Sequence, residues 1–65
     1  MDDILRLRDL RLKHGLSQVE IAKRLCCDRT TYWRWESKIR TPRPIYRREI
    51  KRLIKRLKKE LEKES

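Results

Sequence analysis

Few residues of this 65-residue chain could carry out covalent or metal chemistry. Cys26 and Cys27 are the only cysteines, and His14 is the only histidine. Adjacent cysteines form too tight a ring for an ordinary structural disulfide, and these residues lack the four-ligand spacing of a structural zinc site. Because no paired carboxylates and no base-activated nucleophile are apparent, we expect no enzyme activity, no metal and no cofactor. We expect both thiols to pack as small apolar side chains in a turn.

The charge of the chain points to a different kind of partner. Lys and Arg total 20 against 10 Asp and Glu, which gives a net charge of +10. A positive field of this strength attracts polyanions, nucleic acid first and anionic membrane second. The chain contains no stretch of 18 apolar residues, so we expect no segment that spans a membrane. The N-terminus lacks the basic and apolar pattern of a secretion signal, so we expect an intracellular, cytoplasmic protein.

The composition predicts one small all-α domain over residues 1–65. The chain has a single glycine, 46% charged residues and 37% apolar residues, which suits helices better than sheets. A chain of this length buries only about 60% of its unfolded surface. We therefore expect one thin core in which each large apolar side chain matters.

Two short helices at the centre of the chain are predicted from their capping residues. The sequence SQVE at residues 17–20 is a capping box that opens a helix over 18–25. Asp28 is a second N-cap residue, and it opens a helix over about 29–38. Two such helices joined by about three residues form a helix-turn-helix.

Two further helices are predicted on either side of this unit. Apolar spacing predicts helix 1 over residues 3–14, closed by Gly15, with Leu5 and Leu12 on a second face. These two leucines either meet the last helix or form an exposed patch. No Gly, Pro or Asn interrupts residues 45–64, which predicts a single last helix about 30 Å long. Its inward stripe consists of Ile50, Leu53, Ile54, Leu57 and Leu61.

Trp33 and Trp35 cannot both be buried. In a helix they lie about 200° apart around the axis. The helical positions place Trp35 beside Tyr32 on the core side. Trp33 falls on the other side of the helix, with Arg29, Thr30, Arg34 and Ser37. We therefore expect Trp35 to be buried and Trp33 to belong to an exposed basic face.

Residues 15–42, GLSQVEIAKRLCCDRTTYWRWESKIRTP, resemble the helix-turn-helix of lambda-repressor and Cro-type DNA-binding domains. The shared features are Gly-Leu-Ser-Gln before helix 2, an Ile-Ala pair within it, Trp-Glu near the end of helix 3, and a proline six residues after that glutamate. The resemblance covers roughly residues 7–53. For a natural protein it implies a bacterial or phage-type origin and association with the nucleoid.

The chain departs from the family pattern in two places. The family usually has Gly-Val in the turn where this chain has Cys26 and Cys27, which implies a strained non-glycine residue at positive φ. The family also usually ends helix 4 with a glycine near Leu53 and adds a fifth helix. The regular, uninterrupted last helix of this chain is typical of an engineered or designed member of the family.

The resemblance implies that helix 3 enters the major groove of double-stranded DNA. The residues expected to contact base edges are Arg29, Thr30, Trp33 and Arg34. The residues expected to contact phosphates are Gln18, Ser37, Lys38, Arg40 and Arg43. Arg11 and Glu36 match family positions that form a buried or half-buried ion pair. These assignments describe a transcriptional-regulator-type domain or a designed DNA binder.

Two other functions are compatible with the composition. One is a protein-interaction or antitoxin-like module on the same fold, against which stands the basic, aromatic outer face of helix 3. The other is binding to an anionic membrane surface through the last helix, whose apolar stripe is however required for the core. We therefore expect no membrane partner and no small-molecule ligand. We expect a monomer on a short DNA site, with a dimer on paired half-sites as the alternative.

Overall fold

The computed structural model describes residues 3–64, apart from the side chain of Glu64. Within this range the chain forms four helices and no strand: α1 (Asp3–His14), α2 (Gln18–Arg24), α3 (Arg29–Glu36) and α4 (Pro44–Glu64). The predicted all-α bundle of four helices with a long last helix is confirmed.

Three predicted helix boundaries are wrong by one or two residues. α2 ends before Leu25, which is its C-cap, and α3 ends at Glu36 rather than at Lys38. α4 begins one residue early, at Pro44. Proline is favourable in the first helical position because its φ is already helical and no backbone N–H is needed there.

All four helices contribute to one apolar core. α1 packs against α4 and α3, and α2 packs against α3. The buried residues are Ile4, Leu7, Leu10, Ile21, Ala22, Leu25, Tyr32, Trp35, Ile50, Leu53 and Leu57. Ile54 and Leu61 of the predicted stripe are partly buried at the edge of this core. α3 is therefore supported by α1 and α2 on one side and leaves its other side to solvent.

The first three helices end in the same hydrogen-bonded turn. At each of these helix ends one residue adopts the left-handed conformation: Gly15 (φ 69°) after α1, Cys26 (φ 58°) after α2 and Lys38 (φ 61°) after α3. The N–H of the next residue then donates to a carbonyl in the last turn, as from Cys27 to Ala22 at 3.0 Å and from Ile39 to Arg34 at 2.9 Å. This is the Schellman motif. Only Gly15 forms it without the steric cost of a Cβ atom.

The two cysteines in the turn between α2 and α3 differ in burial. Cys27 is half-buried and packs against the core, as expected. Burial raises the pKa of its thiol, and the neighbouring Asp28 and Cys26 add to the effect. The expectation is wrong for Cys26, which is exposed. In a Schellman motif the residue after the left-handed one folds back onto the helix, so Cys27 faces inward and Cys26 does not.

The N-termini of α2 and α3 are capped in different ways. At α2 the Glu20 N–H donates to Ser17 Oγ at 3.1 Å and the Ser17 N–H donates to Glu20 Oε2 at 2.8 Å, so the predicted capping box is confirmed. Asp28 occupies the N-cap position of α3, but its carboxylate accepts from the Thr31 hydroxyl and caps no backbone N–H. The Thr31 hydrogen bond is the main reason that the pKa of Asp28 is lowered.

The long helix α4 is fastened to α1 at a point far along the chain. His14 Nε2 donates to the carbonyl oxygen of Leu57 at 2.9 Å.

Leu5 and Leu12 are exposed, so the second face of α1 is a surface feature. Among the described residues, no helix combines the length and the apolar character needed to cross a membrane.

Candidate nucleic-acid interface

Helix α3 has one buried and one exposed tryptophan. Trp35 keeps only 5% of its surface accessible, whereas Trp33 keeps 43%, in agreement with the helical positions. The Trp35 ring lies 6.1 Å from the Tyr32 ring, in an edge-to-face arrangement, and 5.1 Å from the Tyr46 ring. Aromatic contacts of this kind are favourable beyond the area that they bury. Trp35 therefore fixes the rotation of α3 about its own axis.

The exposed side of α3 carries the residues for which base contacts are predicted. Arg29, Thr30, Trp33 and Arg34 are all exposed. At 100° per residue they fall within an arc of about 140°. Together they offer guanidinium donors, a hydroxyl and a flat apolar ring to a partner.

Three arginines surround a surface groove beside the C-terminal end of α3. The groove has a volume of about 430 Å³, and its lining includes Arg34, Arg40, Arg43, Thr31 and Thr41. The backbone after α3 folds back, because the N–H groups of residues 39 and 40 both donate to the Arg34 carbonyl, at 2.9 and 3.3 Å. A concave surface with three guanidinium groups and the Thr41 hydroxyl suits an oxyanion, while the Thr31 hydroxyl already donates to Asp28. The position of Arg34 around the axis of α3 does not predict that it lines a groove with Arg40 and Arg43.

The remaining predicted phosphate contacts are placed at different ends of the helices. Ser37 and Lys38 are exposed at the C-terminal end of α3. Gln18, at the start of α2, is half-buried, and its Nε2 donates to Glu36 Oε1 at 3.1 Å. A side-chain amide has two N–H hydrogens, so one remains for a second acceptor.

Arg11 and Glu36, which the resemblance pairs, are joined by two parallel hydrogen bonds. Arg11 Nε donates to Glu36 Oε2 at 3.0 Å and Nη2 donates to Oε1 at 3.1 Å. The side chains are 12% and 6% exposed. Arg11 Nη1 also donates to the Leu16 carbonyl at 3.1 Å. This bidentate geometry, the strong form of a charge-assisted bond, ties α1 to both α3 and the start of the helix-turn-helix.

The protonation of this pair is set by burial and by its partners. Burial alone would raise the pKa of Glu36, but contacts with Tyr32, Arg11 and Gln18 hold that pKa below its usual value. Burial would likewise lower the pKa of Arg11, and the hydrogen bonds and charge of Glu36 raise it instead. Both groups are therefore charged at neutral pH.

Tyr32 adds a buried hydroxyl next to the ion pair. Among the described residues its Oη finds no partner with hydrogen-bonding geometry. Burial, and then the negative charge of Glu36, raise the pKa of Tyr32 far above its usual value, so the phenol is neutral. Tyr32 lies one helical turn before Glu36, so its place beside the pair follows from helical spacing, whereas the contact between Gln18 and Glu36 joins two different helices and is not predictable from spacing. The polar groups on this inner side of α3 are thus directed toward Glu36, away from the exposed face.

A family model described as helix-turn-helix matches residues 7–63. The chain belongs to this helix-turn-helix family, of the lambda-repressor and Cro type. The family is one of DNA-binding domains, typical of transcription regulation, and is not an enzyme family. No curated protein and no solved structure matches the chain.

At the two points where its sequence departs from the pattern, this helix-turn-helix protein keeps the usual backbone conformation in the turn and differs in its last helix. Cys26 adopts the left-handed conformation in the turn, as the usual glycine would. α4 continues without a break past Leu53, which is buried, to Glu64. Within residues 3–64, no group of three or more His, Cys, Asp or Glu side chains could hold a metal ion.

Proposed function

We propose that the chain binds a short, specific sequence of double-stranded DNA with α3 in the major groove. The observation that carries this proposal is the exposed face of α3, which holds Arg29, Thr30 and Trp33 outward while Trp35 holds the other side in the core. Such a helix, in a DNA-binding family, presents base-contacting groups on a rigid support. Transcription regulation in the bacterial cytoplasm, on chromosomal or phage DNA, is the role that we propose for it.

The chemistry of the exposed residues supports base reading. Arg29 can donate two hydrogen bonds to O6 and N7 of a guanine, and Thr30 can donate a hydrogen bond or place its methyl group on a thymine. Trp33 offers apolar surface to a thymine methyl group or to the sugars that line the groove. Each well-placed bidentate contact discriminates against the wrong base by about 1–3 kcal/mol.

The loop after α3 is the proposed phosphate-binding segment. Lys38, Arg40 and Arg43 are exposed there, beside Ser37. Gln18 is the proposed contact at the start of α2, through the amide hydrogen that Glu36 does not use. Arg34 shares a groove with Arg40 and Arg43, and its role is separable by experiment. A base contact at Arg34 acts at one base pair, whereas a phosphate contact acts on all sequences alike.

The test begins with selection of bound sequences from a random duplex library. Dissociation constants are then measured for a selected and a scrambled duplex. Arg29→Ala should cost about 1–3 kcal/mol on the selected duplex and relax the preference at one position, whereas Arg43→Ala, which removes the same charge, should weaken both duplexes equally. Arg34→Ala is measured beside them. If Arg29→Ala weakens both duplexes by the same factor, α3 does not read bases.

The electrostatic part of the proposal is tested by salt. Four to six phosphate contacts would give a slope of about −4 to −5 in a plot of log affinity against log salt concentration. A nearly flat response would contradict the phosphate contacts. We further propose that one chain suffices for a short site, which sedimentation of the protein with and without its selected duplex will test.

A further inference from the structure

A row of cations on the outer side of α4 is not used by the proposed contacts with DNA. We call Arg48, Arg52, Lys55, Arg56, Lys59 and Lys63 the basic strip. All six side chains are exposed. At 100° per residue they fall within an arc of about 100°, and they extend along about 22 Å of the helix. Residues 48–63 place no acidic and no apolar side chain within that arc.

The basic strip and the exposed face of α3 point away from a common core. α4 turns Ile50, Leu53 and Leu57 into the core, and α3 turns Tyr32 and Trp35 into it. The strip lies on the side of α4 opposite those three residues. α1 packs against both α3 and α4, and the folded chain measures 34 × 20 × 20 Å.

A second feature of the strip is its shape. A groove of about 420 Å³ runs along it, and five of the six lining residues belong to the strip, namely Arg52, Lys55, Arg56, Lys59 and Lys63, with Glu60 as the sixth. The long cationic side chains thus border a shallow concave surface. A rounded polyanion can lie in such a surface with charges on both sides.

The chemistry of the strip selects among polyanions. Interfaces with proteins have an apolar or aromatic centre, single-stranded nucleic acids are held by stacking on aromatic rings, and membrane-surface helices insert an apolar face. The strip has none of these features, and the apolar face of α4 is already buried in the core. Contact with the phosphates of a duplex needs cations alone. Double-stranded DNA presents one charge per about 1.7 Å of its length, more than enough to meet every cation of the strip.

We propose that the basic strip binds the backbone of a second segment of double-stranded DNA, without sequence preference, so that one chain bridges two duplexes. The first duplex is the one bound by α3, so bridging rests on the proposed function. The affinity of the basic strip for a duplex is independent of that function.

The test is a capture assay with matched variants. A biotinylated duplex carrying the selected sequence is immobilised, the protein is added, and retention of a free fluorescent duplex of unrelated sequence is measured. The strip variant combines Arg48→Gln, Lys55→Gln and Lys59→Gln. The control variant combines Lys23→Gln, Lys51→Gln and Lys58→Gln, which are exposed positions outside the strip. Both variants lose three positive charges, and glutamine is a good helix former.

The wild-type protein and the control variant should retain the second duplex. The strip variant should retain roughly tenfold less of the second duplex. Because it lacks three phosphate contacts, the slope of log affinity for that duplex against log salt concentration should be shallower by about 2.7. Its affinity for the selected duplex alone should stay close to that of the control variant. Circular dichroism of both variants shows whether they are folded.

Four outcomes would overturn the proposal. The first is binding of the selected duplex by wild-type protein with no capture of the second, which leaves the proposed function intact. The second is equal capture by the strip and control variants, which indicates bridging by a protein dimer. The third is strip-dependent binding of polyglutamate or anionic vesicles without capture of a duplex. The last, no binding of any duplex, removes the proposed function as well. Strip-dependent binding with no preference for the selected sequence would instead support the strip and refute base reading.

Discussion

The inward and outward faces of α3 use similar residue types in opposite ways. Inward, Trp35 lies between two tyrosine rings, and Glu36 accepts hydrogen bonds from Arg11 and Gln18. Outward, Trp33 and Arg29 extend into solvent. An aromatic or charged side chain is structural when the fold supplies its partners and is available for binding when it does not. Changes on the two faces should therefore appear in different measurements.

The largest contrast is expected between the two tryptophans. Trp35→Ala removes a core side chain and should cost about 3–5 kcal/mol, which is comparable to the whole stability of a small domain. Trp33→Ala should leave the melting temperature almost unchanged and weaken binding to the selected duplex. Thermal unfolding followed by circular dichroism measures the first effect. The reverse result would mean that α3 is rotated by half a turn.

The ion pair should give the next largest effect. Glu36→Ala leaves Arg11 without its bidentate partner and should cost about 3 kcal/mol, because removing one member of a buried pair strands the other charge. Arg8 is the control, since its Nε lies 4.0 Å from Glu36 Oε1 and its side chain is 53% exposed. Arg8→Ala should cost less than about 1 kcal/mol. If urea unfolding shows the same decrease in the free energy of unfolding for Glu36→Ala and Arg8→Ala, the pair of Arg11 and Glu36 lies at the surface in solution.

Acid should weaken the inward face through Glu36. The pKa of Glu36 is lower in the folded protein than its usual value, so its contribution is complete above the unfolded pKa of about 4.3 and is lost as the pH falls through the folded value. Urea unfolding measures the free energy of unfolding at neutral pH and at pH about 3. The decrease in this free energy on acidification should be smaller for Glu36→Gln than for the parent. Glu49→Gln alters an exposed pair with Arg52, so its free energy of unfolding should decrease on acidification as much as that of the parent. A parental pH profile in Glu36→Gln would assign the acid sensitivity to other carboxylates.

The turns that end α2 and α3 should give the smallest effects. Cys26 follows α2 and Lys38 follows α3, both in the left-handed conformation. Glycine at either position should raise stability by roughly 0.5–1 kcal/mol, the relief of Cβ strain less the added freedom of the unfolded chain. Gly15→Ala should have the opposite sign, although no atom lies within 4 Å of the new Cβ.

The same two glycine variants also separate stability from binding. Lys38→Gly should weaken affinity for all duplexes because it removes a proposed phosphate contact, whereas Cys26→Gly should not. Melting temperatures and dissociation constants measured on one preparation decide this. A loss of stability in both variants would indicate that the side chains compensate for the strain.

Local chemistry made most of the fold predictable. The capping box fixed the start of α2, and the spacing of the two tryptophans fixed the orientation of α3. The early end of α3 was not predictable, because Lys38 adopts a conformation for which glycine is the usual signal. The contact of Gln18 with Glu36 and the groove that Arg34 shares with Arg40 and Arg43 depend on how separate segments meet, which periodicity does not encode.

The turn between α2 and α3 supplies a natural attachment point for a spectroscopic label. Cys26 is exposed, while Cys27 is shielded and its raised pKa keeps its thiol protonated. Because the thiolate is the reactive form, a maleimide dye or a nitroxide should modify Cys26 first. A probe at this position sits in the turn before α3, on a residue that is not among the proposed base contacts. Energy transfer from it to a dye on a DNA end would report the direction in which the protein lies on its site.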